Sequence, residues 1–372
     1  ESYDIGGRDP RALSERGLCY WFSDTLADLS GSERVHSSRL IQQVTGSDGL
    51  QPSASIEILF DPAHERLVIH TVRVWRDGQA REAASPQAFE LMRRELNLER
   101  AVYDGRITAH MIVPDVRVGD VVESAYSIYG SNPVLKDAFA YRFRFQWSAP
   151  AIETRCRVRV REDRRLTLRP HGACPQPSEM VSGGVREISW RALDMPPYRH
   201  EPDAPAGYLG FAGVHVTDET DLSAVADLVR DSFALPDVIP ADMATEIDRI
   251  GSTEPTAEGR TAEGLRFVQR LLRYHAIGIG DGGYRPRSVD TIWATRYGDC
   301  KDASRLLTAV LVRLGVDACP ALVSTWQGAD LDPTAPSPYA FDHCIVRVTI
   351  GDRTYWLDPT AAPQAGRLDV LT

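Results

Sequence analysis

Three side chains far apart in the chain, Cys300, His343 and Asp358, are of the types that carry out acyl transfer through a thiol. In such chemistry a thiolate attacks a carbonyl, an imidazole takes and returns the proton, and a carboxylate orients the imidazole. Cys300 lies within Arg296-Tyr297-Gly298-Asp299-Cys300-Lys301-Asp302, and apolar residues follow at Ala303, Leu306, Leu307, Val310, Leu311 and Leu314. That spacing predicts a helix with one buried face. Asp299 is placed as its N-cap, Asp302 stands three positions on in a capping-box-like arrangement, and Gly315 is placed to close the C-terminus. Cys300 then falls in the first helical turn, outside the apolar stripe. There the unpaired N–H groups and the positive dipole end favour a thiolate and can receive an oxyanion. Gly298 allows a close approach of backbone or substrate.

The base and its orienting group are predicted on one hairpin. Asp342 to Ile350 reads as a strand with His343 near its start, Gly351-Asp352 as a two-residue turn, and Arg353 to Asp358 as the returning strand stopped by Pro359. With a two-residue turn Ile350 faces Arg353 and Ile345 faces Asp358. His343 and Asp358 become diagonal neighbours on one sheet face, about 7–8 Å apart at the backbone. A three-residue turn flips Asp358 to the other face, so the constellation depends on register. Taken singly, His343 reads as an ordinary strand histidine and Asp358-Pro359 as a strand terminator. Their conjunction with a cysteine at a helix start is what points to chemistry. A zinc site made of Cys300, His343, Cys344 and Asp358 is disfavoured, because adjacent His343 and Cys344 point to opposite faces of a strand. No metal or cofactor is expected.

The elements that position these residues occupy the second half of the chain. Helical spacing recurs from Leu222 to Val229, from Met243 to Ile250 and from Ala262 to Tyr274. The first half has a strand-like texture from Arg34 to about Trp190, broken by turn signals at Asp61-Pro62, Asp77-Gly78, Asp104-Gly105 and Ser131-Asn132-Pro133, which reads as an antiparallel β-sandwich. One helical island is expected at about Pro86–Arg100. Arg155, Arg157, Arg159 and Arg161 share one strand face, expected to be a solvated outer face rather than a grip on an acidic partner. A Pro-, Gly- and Ala-rich stretch from Pro196 to Gly213 marks the junction. The predicted organisation is α+β: an N-terminal extension over 1–33, a β-sandwich over 34–200 and a catalytic domain over 214–372.

Composition bounds the alternatives. The 372 residues are 43% hydrophobic and 25% charged, which excludes a disordered chain, and a net charge of −10 argues against nucleic acid as the main partner. The longest stretch without Asp, Glu, Lys or Arg, Ala204 to Thr217, is too short to span a bilayer. Six cysteines with no CxxC pair suggest neither a disulfide framework nor a zinc or redox motif. The basic residues are 40 Arg and two Lys, Lys136 and Lys301, which reads as a codon bias. Glu1 is not a natural start, so a targeting segment can have preceded it.

The three motifs together resemble the bacterial transglutaminase-like domain of the papain-like cysteine-enzyme fold, over about Asp221 to Thr360. The resemblance implies Cys300 as nucleophile, His343 as base and later acid, and Asp358 as the group that holds the imidazole. Phe60-Asp61-Pro62, Leu67 to His70, Arg94-Glu95, Tyr103-Asp104-Gly105 and Arg117 to Glu123 resemble an uncharacterised β-rich domain that often precedes such domains in bacterial envelope proteins. It implies a peptide or protein substrate, a cell-envelope peptide among the candidates, and a periplasmic or secreted location, with the cytoplasm as the alternative. The chain stops soon after Asp358, as expected of a short member or a trimmed piece. Papain-like enzymes use an upstream side chain as second oxyanion donor, and Trp293 is the candidate here. Arg296 and Lys301 are expected to pair with Asp299 and Asp302. The implied reaction is hydrolysis by a cysteine peptidase or amidase. Amine transfer, Gln deamidation and an inactive binding module are the alternatives.

Overall fold

The computed structural model describes residues 3–14, 16–83, 85, 88–93, 102–103, 105–205, 207–277, 283–325 and 335–371. They form two compact units. One is built from described residues within 1–94, 106–221 and 330–336, the other from those within 95–105, 222–329 and 337–372. The protein is α+β, strand-rich in the first unit and helical in much of the second.

The first unit has two short helices, Pro10–Leu13 (α1) and Leu50–Ala54 (α2). Its early strands are Leu18–Asp28 (β1), Val35–Val44 (β2), Ser55–Phe60 (β3), Glu65–Arg76 (β4), Gln79–Glu82 (β5) and Glu90–Met92 (β6). Val102–Tyr103 (β7) belongs to the second unit. Ile107–Ile112 (β8), Val121–Gly130 (β9), Ala140–Arg144 (β10), Ala151–Arg161 (β11) and Thr167–His171 (β12) follow. Ser178–Ser182 (β13), Val185–Met195 (β14) and Gly213–Thr217 (β15) complete it.

Eight of these strands form one sheet in the order β13-β14-β11-β1-β2-β9-β4-β5, antiparallel except for the β1/β11 pair, which is parallel. Segment 1–33 is therefore no simple extension: it contributes β1, which lies between β11 and β2. Two three-stranded sheets, β10-β15-β12 and β3-β8-β6, pack on the long one. Phe143, Val214 and Val216 meet Cys156, Val158, Val160, Ile188 and Trp190. Ile58, Phe60 and Ala109 meet Leu67, Ile69, Tyr126 and Ile128. Both contacts use the same face. Directly paired residues share a side, and the pairs run from Val72 through Ser124, Leu40 and Ser23 to Thr154, four positions from Val158. The opposite face carries the arginine stripe, whose members are paired rather than free: Arg157 with Asp24, Arg159 with Asp28, Arg155 with Glu153.

The helical island expected at 86–100 is corrected. Glu90–Met92 is a strand paired with β8, so the imperfect apolar face through Phe89 and Met92 serves a sheet. Leu96, Leu98 and the Arg94-Glu95 and Asp104 positions lie outside the described residues.

The second unit contains the helices Leu222–Asp227 (α3), Ala241–Thr253 (α4), Ala257–Leu271 (α5), Val289–Thr295 (α6) and Cys300–Arg313 (α7). Its strands are β7, Arg273–Tyr274 (β16), Ala276–Ile277 (β17), Tyr297–Gly298 (β18), Asp317–Val323 (β19), His343–Ile350 (β20) and Arg353–Leu357 (β21). Helix α7 is the centre. Its Leu306, Leu307, Val310 and Leu311 pack with Met243 and Ile247 of α4, Leu265 and Val268 of α5, Ile292 of α6, and Val346 and Val348 of β20. Burying the stripe on every side gives it one seat in the fold, which fixes the height and rotation of its first turn. Gly315, with φ of +74°, closes the helix as the sequence suggests.

Candidate active site

Asp299 starts α7 by accepting hydrogen bonds from the N–H groups of Lys301 (2.9 Å) and Asp302 (3.0 Å) on one carboxylate oxygen. Its other oxygen holds the Lys301 ammonium at 2.5 Å, nearly out of solvent. Asp302 does not reach back to complete a capping box. It turns to Arg287, accepting the backbone N–H and Nε–H, both at 2.8 Å. Gly298 makes this possible. A β-carbon there would sit 2.6 Å from Cβ of Asp302, so only glycine lets β18 pass this close to the helix. Arg296 pairs with neither aspartate, contrary to expectation: its guanidinium lies 3.5 Å from the centre of the Trp293 ring.

The hairpin has the expected register. Ile350 faces Arg353 and Val346 faces Leu357, with Gly351-Asp352 between the strands. One step beyond the last pair, Asp358 and His343 meet diagonally, and Nε2 of His343 lies 2.8 Å from Oδ2 of Asp358. Asp342 accepts the N–H of Thr325 at 2.7 Å and its hydroxyl at 2.5 Å, which fixes the start of β20. Ser304 of α7 donates to the carbonyl of Cys344 at 2.9 Å, and so ties the helix to β20 beside His343.

Cys300 lies near enough to His343 to be, after Asp358, the second contributor to its raised basicity. With Nε2 facing the carboxylate, Nδ1 is the nitrogen left for the sulfur. The hydrogen bond that His343 donates to Asp358 first, and then the influence of Cys300, outweigh burial and push His343 up to about 10. Burial opposes the charged form of Asp358. Hydrogen bonds from His343 and Thr360 outweigh it and hold the carboxyl below its ordinary value. Thr360 supplies two of those bonds to Oδ1, from its N–H at 2.8 Å and its hydroxyl at 2.7 Å, leaving Oδ2 for the imidazole. The Asp-Pro-Thr order is an Asx-turn signal that could have identified this partner in the sequence. Gln269 of α5 reaches the carbonyls of Asp358 and Ala361, both at 3.4 Å, a link 89 and 92 residues long that no local pattern announces.

Trp293, expected as the second oxyanion donor, is engaged elsewhere. Its indole N–H donates to Asp242 at 2.9 Å, and its ring belongs to the core with Phe267. The remaining thiols, Cys19, Cys156, Cys174, Cys319 and Cys344, are free. Among the described residues no three His, Cys, Asp or Glu side chains gather as a metal-ligand set.

A likeness to known proteins exists at two levels. Residues 30–199 match the family model described as a domain of unknown function with solved structure (DUF3857). That match falls on the stretch read above as an uncharacterised β-rich domain. A search of curated proteins finds no match. Among solved structures, a suspected protease from Parabacteroides distasonis superposes with a TM-score of 0.76 at 16% identity, covering 93% of this chain and 68% of that one. The likeness extends well past the DUF3857 region and is one of fold. Aminopeptidase A of Legionella pneumophila (11% identity, 56% of this chain, 22% of that one, TM-score 0.29) resembles it far less. So does an M1 zinc metallopeptidase of Deinococcus radiodurans (13%, 55%, 43%, TM-score 0.27). Neither bears on the chemistry.

Proposed function

We propose that the protein is a thiol-dependent acyl-transfer enzyme that hydrolyses peptide or amide bonds, with Cys300 as nucleophile, His343 as base and acid, and Asp358 as its orienting group. One observation carries the reading: a single imidazole is hydrogen-bonded to the Asp358 carboxylate and has Cys300 as the second contributor to its raised basicity. The raised basicity of His343 supports its role as the base that takes the proton of the attacking thiol. The thiolate attacks the carbonyl carbon, the C=O pair moves to oxygen, and on collapse the imidazolium protonates the departing amine. A water molecule, deprotonated by the same ring, then releases the acid from the thioester.

Hydrolysis is preferred to amine transfer because solvent reaches the acid–base pair: the side chains of His343 and Asp358 retain 17% and 32% of their exposure. The Parabacteroides fold neighbour, a suspected protease, is in keeping with a peptide substrate. The test is a peptide library supplied with and without a labelled primary amine. Acid products should form faster than amine conjugates, and Cys300→Ala should abolish both. Conjugates that outpace acid would replace the hydrolase reading with a transglutaminase one.

A further inference from the structure

Tetrahedral adducts are stabilised by preorganised donors aimed at the developing oxyanion. Helix α7 supplies only one from its first turn, because Asp299 caps the N–H groups of Lys301 and Asp302, leaving that of Cys300. The Trp293 indole is engaged by Asp242. Another donor stands on β16. Tyr274 pairs in register with Gly298, two residues before Cys300. The pairing is held by Arg273 N–H to the Arg296 carbonyl (3.0 Å) and His275 N–H to the Gly298 carbonyl (2.9 Å). The phenol is 42% exposed and makes no hydrogen bond among the described residues. The charges that act on it are those of Cys300, Asp299 and Asp358, in that order, so the phenol lies within electrostatic range of the nucleophile. Burial, reinforced by those negative charges, pushes the phenol up to about 12, so it keeps its proton wherever the enzyme would work.

We propose that Tyr274 is a catalytic residue: its O–H and the Cys300 N–H together hold the oxygen of the tetrahedral adduct. The proposal rests on the acyl-transfer reading above. As the S–C bond forms, the C=O π pair moves to oxygen, and both donors shorten their hydrogen bonds to it without transferring a proton. On collapse the C=O bond is restored, the C–N bond breaks, and the proton that the amine takes comes from His343.

Two reagents separate this role from a structural one. Iodoacetamide alkylates a thiolate by direct displacement and forms no oxyanion, whereas p-nitrophenyl acetate acylates through a tetrahedral adduct and releases a coloured leaving group. In Tyr274→Phe, alkylation of Cys300 should stay within about twofold of wild type, while the p-nitrophenolate burst slows by about 100-fold, the typical cost of removing one such donor. An unchanged burst overturns the proposal. So does an equal loss in both reactions, which would make Tyr274 a support of the thiolate or of the fold. A wild-type protein that gives no burst and no fast, Cys300-dependent alkylation overturns the acyl-transfer reading itself, and this proposal with it.

Discussion

Cys300 differs from its sister cysteines in its surroundings. Burial alone pushes Cys19 and Cys174 up to about 11, and Cys344, also by burial first, up to about 12, so none is a ready nucleophile at neutral pH. Cys300 has an imidazolium beside it. Iodoacetamide at pH 7 should therefore label Cys300 well ahead of the others, as read by peptide mass mapping, and Cys300→Ala should remove the fast phase. Even, slow labelling of all six would contradict the site. The pair also sets a pH limit. His343 is raised to about 10, so the imidazolium is lost as pH climbs through that value, and the proposed activity should fall with it. The same shift links to stability: His343 stabilises the fold fully below its ordinary value of 6.5, and that contribution disappears between there and about 10. Thr360→Val removes one of two hydrogen bonds to Oδ1 of Asp358. A bond to a charged acceptor is worth about 1.5 kcal/mol, so acylation should slow roughly tenfold, with Thr360→Ser restoring it.

At the scale of elements, the sulfur is placed by how α7 enters and how it is tethered. Gly298 is the tightest point. Gly298→Ala forces a β-carbon against Asp302, which Arg287 holds in place, and should cost about 1–3 kcal/mol, read as a lower urea midpoint. Slower Cys300 alkylation should accompany it, because the first turn of the helix shifts. Much of this was legible. The apolar stripe, the Asp299 cap and the two-residue turn are local signals, and each names its element without knowledge of the rest. Local signals failed where a partner lay elsewhere. Asp302 has the position of a capping-box residue but is claimed by Arg287, fifteen residues upstream. Trp293 has an upstream position suited to an oxyanion donor but is claimed by Asp242, 51 residues away. At 86–100, spacing suggested a helix, yet Glu90–Met92 is a strand, because β8 offers it an edge to pair with.

For the molecule as a whole, acid is the predicted weakness, and it lies in the first unit. Burial lowers His36 to about 4 and His215 to about 3, so both are neutral in the fold. An unfolded chain takes up these protons near the ordinary value of 6.5, so stability is complete above that pH and falls below it, by about 1.4 kcal/mol per pH unit for each proton. Glu153 acts in the same direction. Hydrogen bonds led by Arg191, against burial, hold it at about 2, so its contribution fades as pH falls from 4.5 toward that value. Melting temperatures measured from pH 7 to pH 4 should decline steadily, and less steeply in a His36→Phe, His215→Phe double variant. A flat profile in the wild type would contradict these assignments.

The sequence alone determined which chemistry is available and roughly where: a cysteine at a helix start, a histidine and an aspartate on one hairpin, strands first and helices after. These follow from spacing, capping and turn chemistry, which act over a few residues. Tertiary structure decided which side chains are free to act. It sent β1 to the middle of a sheet beside β11, gave Asp302 to Arg287 and the Trp293 N–H to Asp242, set Thr360 on Asp358, and paired Tyr274 with Gly298, two residues before the cysteine. The reason is physical: a donor or acceptor bonds to whatever the packed chain brings within about 3 Å, and that depends on contacts between residues far apart in sequence.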